Sequence, residues 1–417
     1  MPDLLFANAT IFDATGTAPY LGEVLIRGNR IASVTPLSDQ VKRENGDVTV
    51  IDAAGKFMMP GMTEAHTHFS WNDQPSLNAI AMMPPEEHAL WCMQVAKKYL
   101  EMGWTSCMGA AAAKPRLDVV VRNAIESGAY PGPRYSAASQ EITVQGGLGD
   151  TIPPHMPYPE LSFCDIISGP EEMRRSVRQF IKYGVDTIKL NLSGEYIAGI
   201  SAKLTPFSDE EISVAVQEVK RFDKRLAAHA RSAESIKQCL RHGIHIIYHA
   251  SYADEEALDM LEKHKGDYFF APGLAWLINT AYHASEWGIT PEVAEEMGYI
   301  DELEHAVETL KAMNKRGIPI LPGGDYGFSW IPHGTNAKDL QYFTEMIGIT
   351  PMDVLLSATR EGGKIMRMGN ELGQIKENYL ADLLLIDGNP LEDIAVLQDK
   401  EKILAVMKDG VFYKKLI

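Results

Sequence analysis

Residues 187–192 (TIKLNL), 226–230 (LAAHA) and 246–250 (IIYHA) are three short apolar runs, separated by the amphipathic stretches 209–221 (DEEISVAVQEVKR) and 232–241 (SAESIKQCLR). Runs this short and this apolar read as strands covered on both faces, and the stretches between them are long enough to be helices. The rhythm continues in both directions. Upstream lie 58–66 (MMPGMTEAH), 105–109 (TSCMG) and 135–139 (YSAAS), and downstream 268–272 (YFFAP) and 318–324 (IPILPGG). Helical periodicity recurs at 87–102, 171–183, 254–263 and 301–315. Eight strand–helix alternations predict an α/β fold with a parallel (β/α)8 barrel of the TIM type, over residues 58–370.

The ends of the chain follow a different pattern. Residues 4–12 and 22–34 alternate with period two, and Gly28-Asn29 is a hairpin turn signal. A further strand falls within 48–59, and 381–387 and 403–415 flank a turn at Asp409-Gly410. The segments 1–57 and 371–417 are therefore expected to pair into a small β-sandwich from which the barrel is inserted. The Pro- and Gly-rich stretch 140–170 and the stretch 273–300 both follow strand ends on the catalytic face of a barrel, so both are lid candidates.

The 417 residues carry a net charge of −17, which repels phosphate backbones and anionic membrane surfaces. Nucleic acid and membrane are thus not expected as partners. Met1-Pro2-Asp3 begins no signal peptide, and no apolar run is long enough to span a bilayer, so a cytoplasmic location is expected. Cys92, Cys107, Cys164 and Cys239 form no CxxC pair and read as reduced core thiols.

The candidate chemistry sits at the strand ends. The first strand ends His66-Thr67-His68, and residues two apart in a strand point the same way. An isolated pair of this kind is as often a structural feature as a metal site. Here, however, Lys189 lies in the fourth strand, His229 ends the fifth, His249 the sixth, and Asp325 follows the eighth. Six such residues on one barrel face read as a site for two divalent ions, zinc first, with cobalt or manganese also suited to the ligands. A free ammonium at Lys189 would repel the ions, whereas a lysine carboxylated by CO2 offers two anionic oxygens to bridge them. Asp325 is the expected catalytic residue, taking a proton from the attacking water.

These motifs resemble the binuclear metal-dependent amidohydrolase superfamily. MPGMTEAHTH is similar to its PG-[LF]-[IV]-D-x-H-x-H entry, with Glu64 in place of the usual Asp, and ADLLLIDGNPLEDI resembles its returning sandwich strand. The stretch from Lys189 to His249 looks like the branch containing prolidase, carboxypeptidase, ochratoxin amidase, and phenylurea and molinate hydrolases. The resemblance implies that His66, His68 and Asp325 hold the more buried metal, His229 and His249 the second, and carboxylated Lys189 bridges them. It also implies a homo-oligomer.

Three positions depart from the peptidase pattern. Arg231 stands where those relatives have a second His, Leu148 replaces a substrate-contacting His, and Tyr248 precedes His249. Aromatic residues crowd the expected mouth: Phe69, Trp71, Trp276, Tyr282, Trp287, Phe328 and Trp330. Trp71, Leu148, Arg231, Tyr248, Trp276, Tyr282 and Trp330 are the substrate-binding candidates, Arg231 being the one able to hold a carboxylate. The expected activity is hydrolysis of an amide, aryl urea or carbamate C–N bond in a small aromatic substrate. The alternatives are a dipeptidase, carboxypeptidase or N-acyl amino acid hydrolase, a deaminase, or an inactive structural relative. Lys189 argues against a deaminase, and the retention of all six ligands argues against loss of catalysis.

Overall fold

A computed structural model describes residues 3–39, 48–156 and 162–417. In chain order the strands are β1 (Asp3–Ile11), β2 (Tyr20–Arg27), β3 (Arg30–Pro36), β4 (Val48–Asp52), β5 (Phe57–Pro60), β6 (Met62–Thr67), β7 (Trp104–Gly109), β8 (Arg134–Ser136), β9 (Ala138–Val144), β10 (Asp165–Ile167), β11 (Thr187–Asn191), β12 (Arg225–Ala230), β13 (Ile246–His249), β14 (Phe269–Ala271), β15 (Leu383–Ile386), β16 (Ile403–Lys408) and β17 (Val411–Lys415).

The two ends of the chain pair as expected, into an eight-stranded sheet of order β17-β16-β15-β5-β1-β2-β3 with β4 beside β1. Strand alternation explains why LLLI in β15 is apolar throughout. Leu383 and Leu385 join Phe6, Ile26 and Met407 in the sheet's own core, while Leu384 and Ile386 face the main core. The two terminal hairpin turns touch, since a Cβ on Gly410 would lie 2.1 Å from the Gly28 carbonyl oxygen. Only glycine fits at that contact, and its φ of +73° suits glycine as well. The boundary expected after residue 57 falls inside β5, whose partners are β1 and β15, so the chain passes to the barrel at Gly61.

The barrel-type part is a parallel ladder in two pieces, β6-β7-β8 and β10-β9-β11-β12-β13-β14. Strands β8 and β9 are one segment broken at Ala137, pairing with β7 on one side and β11 on the other. The eighth expected strand, 318–324, is not a regular strand. Pro319 and Pro322 have no N–H to give, so a continuous ladder cannot form there. The segment still sits between the seventh and first strands. Leu321 N–H donates to the Phe270 carbonyl (2.7 Å), and Ala65 N–H donates to the Pro322 carbonyl (2.9 Å).

The helices follow their sequence signals. Asp209–Arg221 begins with a capping box, Ser208 and Glu211 satisfying each other's backbone N–H groups. Helix Leu117–Glu126 is additional to the stretches read from periodicity. The lid expected at 273–300 contains the helix Leu274–Tyr282, buried at every residue but the last. The one expected at 140–170 contributes β10, laid against β9, and its residues 157–161 lie outside the described ones. All four cysteines are free and buried. Among the described residues no helix is long and apolar enough to cross a membrane.

Candidate metal centre

His66 and His68 leave the end of β6 and meet Asp325, which follows the eighth segment. Asp325 Oδ1 lies 3.5 Å from His66 Nε2 and 3.3 Å from His68 Nε2. The proton positions decide what this contact means. His68 Nδ1 is 3.0 Å from the Ala111 carbonyl, which can only accept, so the proton is on Nδ1 and the lone pair on Nε2. Burial pushes the His66 imidazole well below its usual range, so it is neutral. Burial works against the charge of Asp325, but its surroundings, the Arg231 guanidinium among them, hold the carboxyl well below the usual carboxylate range. His68 Nε2 and Asp325 Oδ1, both acceptors, therefore face each other without a hydrogen bond, and neither nitrogen of His66 has a partner. His66 Nε2, His68 Nε2 and Asp325 Oδ1 are all buried without a partner. Lone pairs meeting in a dry site are costly unless a cation lies among them. The three offer ligand atoms within 4.8 Å of one another, which fits one divalent ion.

The other three expected ligands adjoin this group. His229 and His249 have ring centroids 4.4 Å apart, and His249 lies 5.0 Å from His66. His229 Nε2–H donates to the Gly194 carbonyl (3.0 Å), leaving Nδ1 free to ligate. Burial holds both imidazoles well below their usual range, hence neutral. His249 and Asp325 have left-handed backbones, φ 76° and 65°, a strain of roughly 1–3 kcal/mol each that concentrates at functional sites. Lys189 on β11 is 1% exposed. Burial lowers the affinity of its amine for a proton, and Glu141, with Oε1 3.6 Å away, partly restores it.

These six residues line one small chamber, of about 30 Å3, with Trp71, Leu77, Glu141, Leu148, Glu195, Ile197, Trp276 and Phe328. Trp71 stacks on His68 at 3.5 Å with its plane tilted 6°. Trp71, Leu148 and Trp276 are thus where the sequence led. The other substrate-binding candidates are elsewhere. Tyr248 lies beneath the chamber, its ring 4.0 Å from that of His66 and 4.8 Å below the Lys189 nitrogen. Trp330 stands behind Trp276 and donates to Thr280 Oγ1 (3.0 Å), and Tyr282 is half exposed.

Arg231 does not line the chamber. It is fully buried between Glu195 and Glu302, which also accepts from Ser251 (2.7 Å). Tyr299 O–H donates to Glu195 (2.7 Å). Through Arg231, Glu195, Glu302 and Ser251 this cluster ties the segments following β11, β12 and β13 to the helix Tyr299–Lys315, and β12 and β13 carry His229 and His249. Replacing Arg231 by Ala leaves two buried carboxylates unpaired, a loss of about 3–5 kcal/mol. Carboxylates stripped of their cation have raised pKa values, so the deficit against the wild type is largest above neutral pH and shrinks as the pH falls. Thermal unfolding of both proteins from pH 5 to 8 tests this, and a deficit constant with pH excludes unpaired carboxylates as its source.

Two chamber residues, Glu141 and Glu195, are absent from the sequence reading. Glu141 lies in the middle of β9 and Glu195 four residues beyond β11, in SQEITV and LNLSGEY; an acid within an apolar barrel strand, rarely buried without a reason, is the signal that could have singled out the first. Glu64, the replacement for the usual Asp, is a strut. Its carboxylate accepts from Thr67 Oγ1, from His66 N–H (3.2 Å) and from Gly324 N–H (3.3 Å), joining both halves of the first metal group. Burial pushes it up to about 8 from 4.5. A raised acid stabilises below the unfolded pKa, and that stability is lost as the pH rises from about 4.5 through 8. Glu64→Gln removes this slope. The variant should gain stability relative to wild type across that window, on the order of 5 kcal/mol in full, measurable by denaturant titration at several pH values.

Residues 57–412 match the amidohydrolase family model. The chain belongs to the amidohydrolase family. This amidohydrolase is 27% identical over 379 residues to the ochratoxinase of Aspergillus niger, covering 86% of the chain and 75% of that relative. A prolidase solved with N-methylphosphonate-L-proline superposes with a TM-score of 0.88 at 26% identity, covering 99% of this chain and 100% of the other. A Xaa-Pro dipeptidase with bound methionine gives 0.87 at 27%, with the same coverage. The fold is accordingly of the TIM-barrel type, and the enzyme is a hydrolase acting on carbon–nitrogen bonds.

Proposed function

We propose that this amidohydrolase uses two divalent ions, zinc foremost, to hydrolyse an amide, aryl urea or carbamate bond of a small aromatic substrate. The observation that carries the reading is the convergence of buried, partnerless acceptors from His66, His68 and Asp325, with Lys189, His229 and His249 on the same chamber. In this reading His66, His68 and Asp325 hold one ion, His229 and His249 the other, and Lys189 bridges them as its carbamate. Ions bound there would lower the pKa of a water to about 7. The remaining work falls to the chain. Asp325 takes the proton of the attacking water and returns it to the leaving nitrogen, which departs poorly as an anion. Trp71, Trp276 and Phe328 supply flat walls that hold an aryl group and exclude water.

The activities of the relatives support a C–N bond, and the prolidases keep a peptide substrate in play. Arg231 weighs against it. Closed between Glu195 and Glu302, its guanidinium is spent on two carboxylates of the protein. The test combines metal analysis with a hydrolysis screen over dipeptides, N-acyl amino acids, anilides and N-aryl ureas. The reading expects close to two ions per chain, loss of at least one in His66→Ala, and turnover of anilides or ureas. Full activity in metal-free protein refutes it.

A further inference from the structure

Alternation along β12 turns Arg225, Ala227 and His229 to one side, the barrel interior. His229 reaches the metal chamber, and Arg225, about 13 Å back along the strand, stands at the opposite end of the barrel. Its setting differs from that of other arginines in the chain. Arg231 and Arg134 are each held by two carboxylates, and Arg122 is held by Asp186. Arg225 is largely buried, yet among the described residues no carboxylate forms an ion pair with it. Its Nη1 donates to the Ile365 carbonyl and lies 3.7 Å from the Met108 sulfur, and its guanidinium carbon is 5.9 Å from the centre of the Phe269 ring. Nε and Nη2 have no hydrogen-bond partner among the described residues, and neither is sealed from solvent. Burial, and then the neighbouring Arg367, push this guanidinium down to about 10. A buried charge without a counter-ion is costly.

An open cavity of about 350 Å3 begins at this guanidinium, and Lys220, Lys224, Lys364 and Arg367 line it too. Three of these have surface partners: Lys224 with Asp186 (3.8 Å), Lys364 with Glu361 (2.8 Å) and Arg367 with Asp223 (3.4 Å). Pairs so exposed are weak and readily exchanged. The two acids of the lining, Asp223 and Asp267, extend into solvent, with side chains 93% and 68% exposed. Lys220 and Arg225 are left without a carboxylate. We propose that this cavity, remote from the metal chamber, binds a small multivalent oxyanion, a phosphate group foremost, with Arg225 as the buried anchor and Lys220 and Arg367 beside it. Nε and Nη2 share one edge of the guanidinium, the fork that takes two oxygens of one anion. The Ile365 carbonyl and the Phe269 ring hold that fork in place. Two unmatched cations suit an anion carrying more than one charge. The net charge of −17 disfavours a nucleic acid or an anionic membrane as the source. This site rests neither on the metal ions nor on the hydrolase reading.

The test titrates the metal-loaded enzyme with inorganic phosphate and with glycerol phosphate, by calorimetry and by thermal unfolding, with ionic strength held constant by chloride. Bound phosphate should raise Tm with the logarithm of its concentration. Arg225→Met should weaken that binding at least ~10-fold, the loss expected for a charge-assisted pair of hydrogen bonds. In phosphate-free buffer the same variant should be as stable as the wild type or more so, because a buried unpaired charge has gone. A guanidinium that serves only Ile365 and Phe269 gives the reverse, a lower Tm in every buffer and unchanged phosphate binding, and that result overturns the proposal. Should Arg225→Met fail to fold, the double variant Lys220→Ala, Arg367→Ala decides, again by a loss of about 10-fold. Phosphate that settles on the metal ions instead would bind the variants as tightly as the wild type, which also overturns it. Tighter binding of the ester marks an organic phosphate as the ligand, and equal binding marks free phosphate. If neither binds, and Arg225→Met dissociates an oligomer, the counter-ion is a carboxylate of a second copy and the anion site is refuted.

Discussion

Asp325→Asn lowers kcat by ~10²-fold or more while the protein stays folded, the scale expected when a positioned acid–base group is removed. The substitution preserves size and planarity, so the left-handed backbone at residue 325 and the approach of His66 and His68 change little. What changes is chemistry. An amide oxygen can still face a cation, but the group can no longer accept a proton from water or return it to the leaving nitrogen. Asp325 is also a member of the three-residue metal group, so part of any loss could come from weaker metal binding. Metal content measured beside the rate separates the two. A variant with full occupancy and a 10²-fold lower kcat supports the proton role, and near-wild-type kcat at full occupancy removes Asp325 from the mechanism. Metal binding itself must weaken in acid for both proteins, because protons compete for the same imidazoles.

What the sequence revealed, and what it hid, follows from how far each feature depends on distant residues. His66 and His68 were legible because a two-residue spacing in a strand fixes their common direction. The barrel rhythm was legible for seven strands. The eighth kept its position and lost its ladder because two prolines cannot donate, a fact that was itself in the sequence. Tyr248 lies off the chamber lining for a local reason. Alternation turns it into the barrel interior beside Ala227 and Ala271, while the left-handed backbone at His249 swings that imidazole to the chamber. No spacing rule announces that backbone. The fate of Arg231 could not be read at all, because it is set by Glu302, 71 residues away on a helix whose packing exists only in the folded chain. The acids Glu141 and Glu195 were visible as letters, but their meaning needed the chamber around them.

Lys189→Ala tests the remaining ligand, and its expected loss is as large as that at Asp325. The side chain is buried at the chamber wall, with Glu141 on one side and the Tyr248 ring on the other. If Lys189 were an ammonium serving only Glu141, the truncation would leave a buried carboxylate unpaired and cost stability, and no small molecule with a negative charge would help. If it is a carbamate bridging two ions, the truncation removes a shared anionic ligand. Activity then falls by more than the roughly 10–100-fold that loss of an outer-shell partner costs. A short carboxylic acid, flat and two-oxygened like the carbamate, can take the vacated position. The two cases therefore diverge on a single addition. Acetate or propionate restores part of the activity and part of the metal content in the bridging case, and does neither in the ammonium case. Reconstitution of the wild-type protein gives a second reading, since metal uptake in buffer stripped of CO2 should be slow or incomplete and should recover when bicarbonate is supplied. Metal uptake that ignores bicarbonate, together with a Lys189→Ala variant that no carboxylate rescues, would leave Lys189 as the counter-ion of Glu141 and reduce the centre to the ion held by His66, His68 and Asp325.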